Sequence, residues 1–303
     1  MTKFNHFHQS AGILTGSLCI LTASLLFGLL PAITLQSYEG GINVLTMQSL
    51  KYILVTAILL PFSVCRYFRY LPPLKTALKL LAASGILYAA QALLYAYSVT
   101  RIPVALSVLL LFTYPILVGL LGVVTGSETL SLKSALLLAL LFASLCFALF
   151  RPTGQISPAG VLCALAASLS YALYVLVLNR LSHTMPAPLT NAFVNAGPAV
   201  SITLLTLLTG NFDMSFAPFT WWPILFNVLL GGIAGYCLWL KGLKLLGPVI
   251  TSALSMTEPL FAILASVVLL GQAVTLHEVI GGICFLILLT QFTRTLERSH
   301  HHE

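Results

Sequence analysis

Charge is scarce in this sequence: only 7 % of its 303 residues are Asp, Glu, Lys or Arg, and mean hydropathy is +1.02. A water-soluble surface needs several times more charge, so a soluble globular domain is excluded. Cysteine patterning is absent as well. Cys19, Cys65, Cys146, Cys163, Cys237 and Cys284 lie in or beside apolar runs and form no CxxC pair. That argues against a zinc site or a disulfide framework and for thiols serving as small apolar groups. No P-loop, HExxH, GxSxG or carboxylate cluster occurs, so enzymatic chemistry has little footing and neither cofactor nor metal is expected. The ending Ser299-His300-His301-His302-Glu303 reads as a solvated tail. The first apolar run follows Met1–Ser10 without an evident small-residue cleavage site, so Ala11–Gln36 reads as a retained helix and not a signal peptide.

What the chain has in abundance is long apolar runs. They cover about 12–36, 42–64, 77–99, 103–125, 132–150, 158–179, 188–209, 220–243, 248–270 and 276–293. Each is bounded by charges, Gly/Pro or polar clusters such as Tyr38-Glu39-Gly40-Gly41 and Gly126-Ser127-Glu128. Roughly 20 apolar residues make one spanning helix. The fold expected is therefore an all-α integral membrane protein with ten transmembrane helices. The net charge of +7 is spread over loops, which points to membrane orientation and away from nucleic acid. With an inner N-terminus, Lys3, Arg66, Arg69, Lys75, Lys79, Lys133, Arg180, Lys241, Lys244, Arg294 and Arg298 fall inside. Only Arg101 and Arg151 fall outside. This bias places both termini in the cytoplasm of an inner-membrane protein.

An internal repeat divides the chain into residues 1–152 and 153–303. Gly16-Ser17-Leu18-Cys19-Ile20-Leu21-Thr22-Ala23-Ser24-Leu25 aligns with Gly160-Val161-Leu162-Cys163-Ala164-Leu165-Ala166-Ala167-Ser168-Leu169. The same offset sets Tyr114-Pro115 on Glu258-Pro259 and Glu128-Thr129-Leu130-Ser131 on Gln272-Ala273-Val274-Thr275. Five spans per repeat is an odd number, so the second copy enters the membrane from the opposite side. Two inverted five-helix repeats with a site between them, near the bilayer midplane, is a transporter architecture.

Glu258 draws the most attention. It lies near the middle of the ninth run, where a charged carboxylate costs roughly 2.5–3.5 kcal/mol on insertion scales. Pro259 follows and deprives the Ser255 carbonyl of its helical donor, a break tolerated only where protein or a cavity satisfies the freed groups. Glu258 is either a substrate or proton site or a structural carboxyl bonded to a neighbouring helix. Tyr114, before Pro115, takes the matching place in the first half and is expected beside it. Tyr88, Gln91 and Tyr95 share one helical face, as either a cavity wall or a packing seam. Ser168, Tyr171 and Tyr174 share another, with Phe27 matching Tyr171. Tyr rings supply flat apolar surface, a hydroxyl and a face that attracts cations. Lys51 either pairs with Glu258 or a substrate carboxylate, or snorkels. Gly231 and Gly235 read as a close-approach seam. Trp239 either lines the site or, with Lys241 and Lys244 following, anchors the interface, and the second is favoured. Trp221-Trp222 and His277-Glu278 read as outer-interface residues.

These features together resemble the drug/metabolite transporter superfamily with two EamA-type domains. The features are the five-plus-five repeat, small-residue first helices (Ala23-Ser24, Ala167-Ser168), the late Thr113-Tyr114-Pro115 and Thr257-Glu258-Pro259, and Gly281-Gly282 in the last helix. Gln272, where an acidic residue is common, and Lys51, where Arg is more usual, depart from it. The resemblance implies a carrier of amino acids, choline-like cations, sugars or other metabolites. The reading is a non-enzymatic secondary transporter, monomeric or homodimeric, for amino acids or similar small metabolites. Export coupled to protons or exchange is the expected mode. The alternatives are uptake of choline-like quaternary ammonium compounds and a non-transporting lipid-modifying or structural membrane protein. The charge bias makes a direct prediction: single cysteines at Gly40 and Gly154 react with an impermeant reagent from outside, and those at Pro72 and Ser182 do not.

Overall fold

The computed structural model describes residues 2–127, 131–149, 156–270 and 275–299, and among them every regular element is helical. Glu128, Arg151, Gly154, Gln272 and the tail His300–Glu303 lie outside the described residues. In chain order the helices are α1 Thr2–Glu39, α2 Val44–Arg66, α3 Leu74–Val99, α4 Val104–Val124 and α5 Leu132–Leu149. In the second half they are α6 Pro158–Ser182, α7 Ala187–Leu208, α8 221–246, α9 248–270 and α10 Leu276–Ser299. The division between α8 and α9 comes from Gly247, whose φ of 75° and ψ of 173° interrupt an otherwise continuous 38-residue apolar stretch. Only glycine takes that conformation cheaply. Ten helices result among the described residues, as the apolar runs predict, although α1 begins nearer the N-terminus than its run.

Helix ends follow local chemistry. Asn43 caps α2 by accepting from Thr46 N at 2.8 Å, and Pro103 and Pro186 precede α4 and α7, where a missing N–H costs nothing. Glu278 belongs to a capping box: Thr275 N donates to its carboxylate at 2.7 Å, and Glu278 N donates back to Thr275 Oγ1 at 3.4 Å. The interior is mainly apolar, with buried hydroxyls and amides among it, such as Ser49 and Thr206, which bond at 2.9 Å. Outward faces carry exposed Leu14, Leu18, Leu25, Leu204, Leu207 and Leu208, a surface suited to lipid and not to water. Trp221 and Trp222 are exposed at the start of α8, where an interface anchor belongs.

The two halves interlock. α1 packs chiefly on α8 and α9 of the other repeat, and α6 packs on α3 and α4; α2 and α7 lie side by side. Small residues permit these approaches. A β-carbon at Gly28 of α1 would fall 2.8 Å from Phe261 Cβ and 2.9 Å from Ala262 N of α9. Gly235 accepts the Phe27 ring, and Gly231 the Leu30 side chain, so the α8 seam receives α1.

Irregularities recur at matching places. A π-helical segment spans Ser84–Tyr88 in α3, and another spans Asn227–Gly235 in α8. α4 breaks at Phe112–Thr113, and α9 at Met256–Thr257. The offset that carries Gly16 onto Gly160 superposes the two breaks and sets the first π segment inside the second.

Two sequence-chosen labelling positions need correction, because Gly40 packs against Thr220 and Ser182 is 1 % exposed. Glu39 and His183 are exposed and replace them. The Gly28 contact is with the backbone of α9, which cannot rotate away. Gly28→Val is therefore expected to cost about 1–3 kcal/mol and lower the thermal midpoint of the detergent-solubilised protein. Gly12→Val, at a position facing open space, should leave that midpoint within about a degree of its original value.

Candidate functional site

A break in a membrane helix exposes backbone groups that lipid cannot satisfy. In α9 the break at Met256–Thr257 is closed by Thr257, whose hydroxyl donates to Leu254 O at 2.7 Å. Thr113 does the same in α4 with Leu110 O, at 2.7 Å, and its hydroxyl also meets Ser168 Oγ of α6 at 2.7 Å. The helix then restarts with Glu258 in its first turn. This changes the role of proline. Pro259, like Pro115, sits in the first turn of a new helical segment, where no N–H is missed; it does not interrupt a continuous helix.

The restart aims Glu258 at an aromatic wall. Its carboxyl lies within electrostatic reach of the hydroxyls of Tyr88, Tyr95, Tyr114 and Tyr171. Tyr114 meets Tyr171 edge-on at 4.7 Å between ring centroids. Tyr171 stacks on Tyr174 at 6.0 Å, and Tyr88 stacks on Tyr174 at 5.0 Å. The cluster continues through Tyr52, 5.8 Å from Tyr88, and through Tyr236, 5.9 Å from it. Tyr174 and Tyr236 share a hydroxyl–hydroxyl bond of 2.5 Å. Six helices contribute: α2, α3, α4, α6, α8 and α9.

Trp239 overturns the favoured sequence reading. It is 2 % exposed and stacks on Tyr236 at 5.5 Å, so it is no interface anchor. Its indole N–H donates to Ser255 Oγ at 3.1 Å, and Ser255 Oγ donates to Thr251 O at 2.9 Å. Lys51 forms no ion pair with Glu258 among the described residues; its ammonium lies 4.4 Å from the Tyr52 ring centroid. Gln91 is half-buried and its amide has no hydrogen bond among the described residues. Tyr95 is half-buried and faces Glu258.

Several residues escaped the sequence reading. Tyr236 sits one turn before Trp239, a spacing that could have marked it, and Tyr52 directly follows Lys51. Asn191 and Asn195 on α7 carried an overlooked signal, two amides one helical turn apart in an apolar run. Both are buried. Asn191 Nδ2 donates to Gly232 O at 2.8 Å, inside the π segment of α8. Asn195 Nδ2 donates to Asn191 Oδ1 at 2.5 Å and holds that amide in place. Ser170 of α6 serves α3 in the same way, donating to Leu87 O at 2.9 Å.

The EamA-like transporter family model matches this chain twice, over residues 14–150 and 158–290. The chain belongs to the EamA-like transporter family. Family membership and the apolar helices together make it a multi-pass membrane protein of a transporter family. It is similar to the uncharacterized transporter YwfM of Bacillus subtilis (strain 168), with 30 % identity over 165 residues, 51 % of this chain and 55 % of that protein. The chain thus spans about half the length of this curated relative. A solved structure, described only as the crystal structure of a protein, has the same fold. It matches with a TM-score of 0.77 at 19 % identity, covering 96 % of this chain and 98 % of its own.

In this EamA-like transporter the Asn191 amide can be tested directly. Asn191→Leu leaves the Gly232 carbonyl buried without its donor, at a cost of about 1–3 kcal/mol. A lower thermal midpoint is expected, with Asn191→Gln closer to the parent than Asn191→Leu.

Proposed function

We propose that this transporter carries an amino acid, or a similarly small metabolite with an ammonium group, bound between the repeats against Glu258. The supporting observation is the arrangement of four tyrosines around one carboxylate with no ion-pair partner among the described residues. Tyrosine faces and a carboxylate both favour a cation, and an apolar surround strengthens the pairing. Ring area from Tyr114, Tyr171 and Trp239 accommodates an apolar side group beside the charge.

Glu258 then has two exchangeable partners, a proton and the substrate ammonium. Each uses the same carboxylate, because a protonated carboxyl no longer pairs with an ammonium as an ion. Competition for one group couples substrate movement to proton movement in the opposite sense, the basis for export driven by proton exchange. The termini are placed in the cytoplasm on the charge bias alone. Choline-like compounds fit the same aromatic wall through their cationic head, so they form the second substrate class to be compared.

Counterflow in proteoliposomes tests the reading, using labelled amino acids, primary amines and choline. Exchange of amino acids or amines is expected, and Glu258→Gln should reduce apparent affinity by roughly ten- to a hundredfold, the range for a lost charged hydrogen bond. Tyr171→Leu should weaken binding by a smaller factor, roughly three- to thirtyfold. Exchange of choline alone would replace the amino-acid reading with the quaternary ammonium one. Parent-like exchange in Glu258→Gln would remove the carboxylate from the site.

A further inference from the structure

A second polar recess lies well away from Glu258, at the face that carries Arg66, Arg69, Lys75, Arg180, Lys241 and Lys244. It is a cleft of about 360 Å³ between the α2–α3 connection, the first turn of α3, the end of α6 and the α6–α7 turn. Arg69 and Arg180 line it together with Tyr70, Thr76, Thr184 and Met185. No Asp or Glu is among the described lining residues. Neither arginine has an ion pair or a hydrogen bond among the described residues, in contrast to Arg66, which lies 5.8 Å from the Tyr67 ring. Lys244 adds a third cation behind the wall: its ammonium donates to Met185 O and, at 3.3 Å, to Thr190 Oγ1.

Two free guanidinium groups and three hydroxyls, with no carboxylate among the described lining residues to neutralise them, form a recess that selects an anion. Guanidinium forks match the oxygens of phosphate. The surroundings decide which phosphate. Tyr70 of the lining is 57 % exposed, and Phe68, Leu74 and Leu78, next to lining residues along the chain, are 71, 75 and 56 % exposed. Aromatic and leucine side chains exposed beside basic residues suit the boundary between headgroups and acyl chains. A free anion would gain nothing from them, whereas a phospholipid fills the cleft with its headgroup and covers them with its chains.

We propose that this cleft is a binding site for the phosphate of an anionic phospholipid such as phosphatidylglycerol. The site joins the start of α3 to the end of α6, the two helices that bring Tyr88, Tyr171 and Tyr174 together. An occupant braces that pair from one end, as the bond from Ser170 to Leu87 O braces it within the membrane.

Native mass spectrometry of the full-length protein, released from mild detergent with equal phosphatidylglycerol and phosphatidylcholine, tests the proposal. Selective retention of phosphatidylglycerol is expected. R69Q/R180Q should weaken that retention roughly tenfold or more, since each basic contact at a membrane surface carries a several-fold factor. R69K/R180K should fall between, because lysine keeps the charge and loses the fork. K133Q removes an exposed cation of the same face outside the cleft and should leave retention unchanged. Equal retention of both lipids, parent-like retention by R69Q/R180Q, or an equal loss in K133Q would overturn the site. Inorganic phosphate in large excess should not displace the lipid. Displacement would assign the cleft to a free anion and overturn the lipid assignment. Thermal midpoints of all variants, measured in parallel, separate loss of binding from loss of fold.

Discussion

Backbone that leaves the α-helix inside a membrane has to find its hydrogen bonds within the protein, and the central architecture of this transporter follows from that requirement. At each irregularity named above, a side chain adds a hydrogen bond to a carbonyl of the irregular segment or beside it. Ser170 of α6 reaches Leu87 O in the π segment of α3. Asn191 of α7 reaches Gly232 O in the π segment of α8. At the breaks in α4 and α9, Thr113 and Thr257 fold back on their own chains. The first two bonds link neighbouring helices, so satisfying the irregular backbone also fixes which helices surround the aromatic cluster. The π segment of α3 ends at Tyr88, at the centre of that cluster. Irregular backbone and candidate site therefore coincide for a physical reason: a chain that presents side chains inward at a break must also supply the donors that make the break tolerable.

The scaffold is symmetric and the chemistry is not. Under the repeat offset Glu258 corresponds to Tyr114, Tyr171 to Phe27, Trp239 to Tyr95 and Lys51 to Asn195. One member of the first pair brings a negative charge and the other a neutral hydroxyl, in one environment. The hydroxyl of Tyr171 has no counterpart on Phe27, whose ring packs on Gly235. Symmetric breaks deliver side chains from both halves to a common centre, and differences at matched positions give that centre one carboxylate where strict symmetry would supply two or none. Two carboxylates side by side would repel one another, and none would leave a cation held by ring faces alone.

Sequence carried the scaffold well because lipid imposes simple rules. Apolar runs of spanning length marked the ten crossings, and the shared Gly, Cys and Pro positions marked the repeat. Gly247, the residue that separates α8 from α9, lies between two of these runs. The site was less legible. Tyr88, Tyr171 and Tyr174 were accessible through face periodicity and Tyr114 through the repeat offset; the first three rings contact one another, and Tyr114 meets Tyr171. Trp239 was misread because nearby lysines suggest an interface; its inward direction depends on the phase of α8, which the preceding π segment alters. Lys51 and Glu258 are complementary in charge, yet sequence holds no measure of their separation. Asn191 was missed because its partner is a backbone carbonyl in an irregular segment, and periodicity assumes regular helices.

The exchange of first helices between the repeats constrains how the site can open. Since α1 packs on α8 and α9, and α6 on α3 and α4, the packed groups are not the two halves of the sequence. One group is α1 with α8 and α9, the other is α6 with α3 and α4, and the boundary between them passes through the candidate site. Tyr174 of α6 bonds to Tyr236 of α8 across it, Tyr88 of α3 faces Tyr236, and Tyr114 of α4 faces Glu258 of α9. A substrate lodged there would touch both groups at once. It would gain or lose contacts with every displacement of one against the other, which is what a ligand must do to shift an equilibrium between two arrangements. With the carboxylate on one side of the boundary and most of the rings on the other, neutralisation of Glu258 on the proposed function would be a change in the attraction between the two groups themselves.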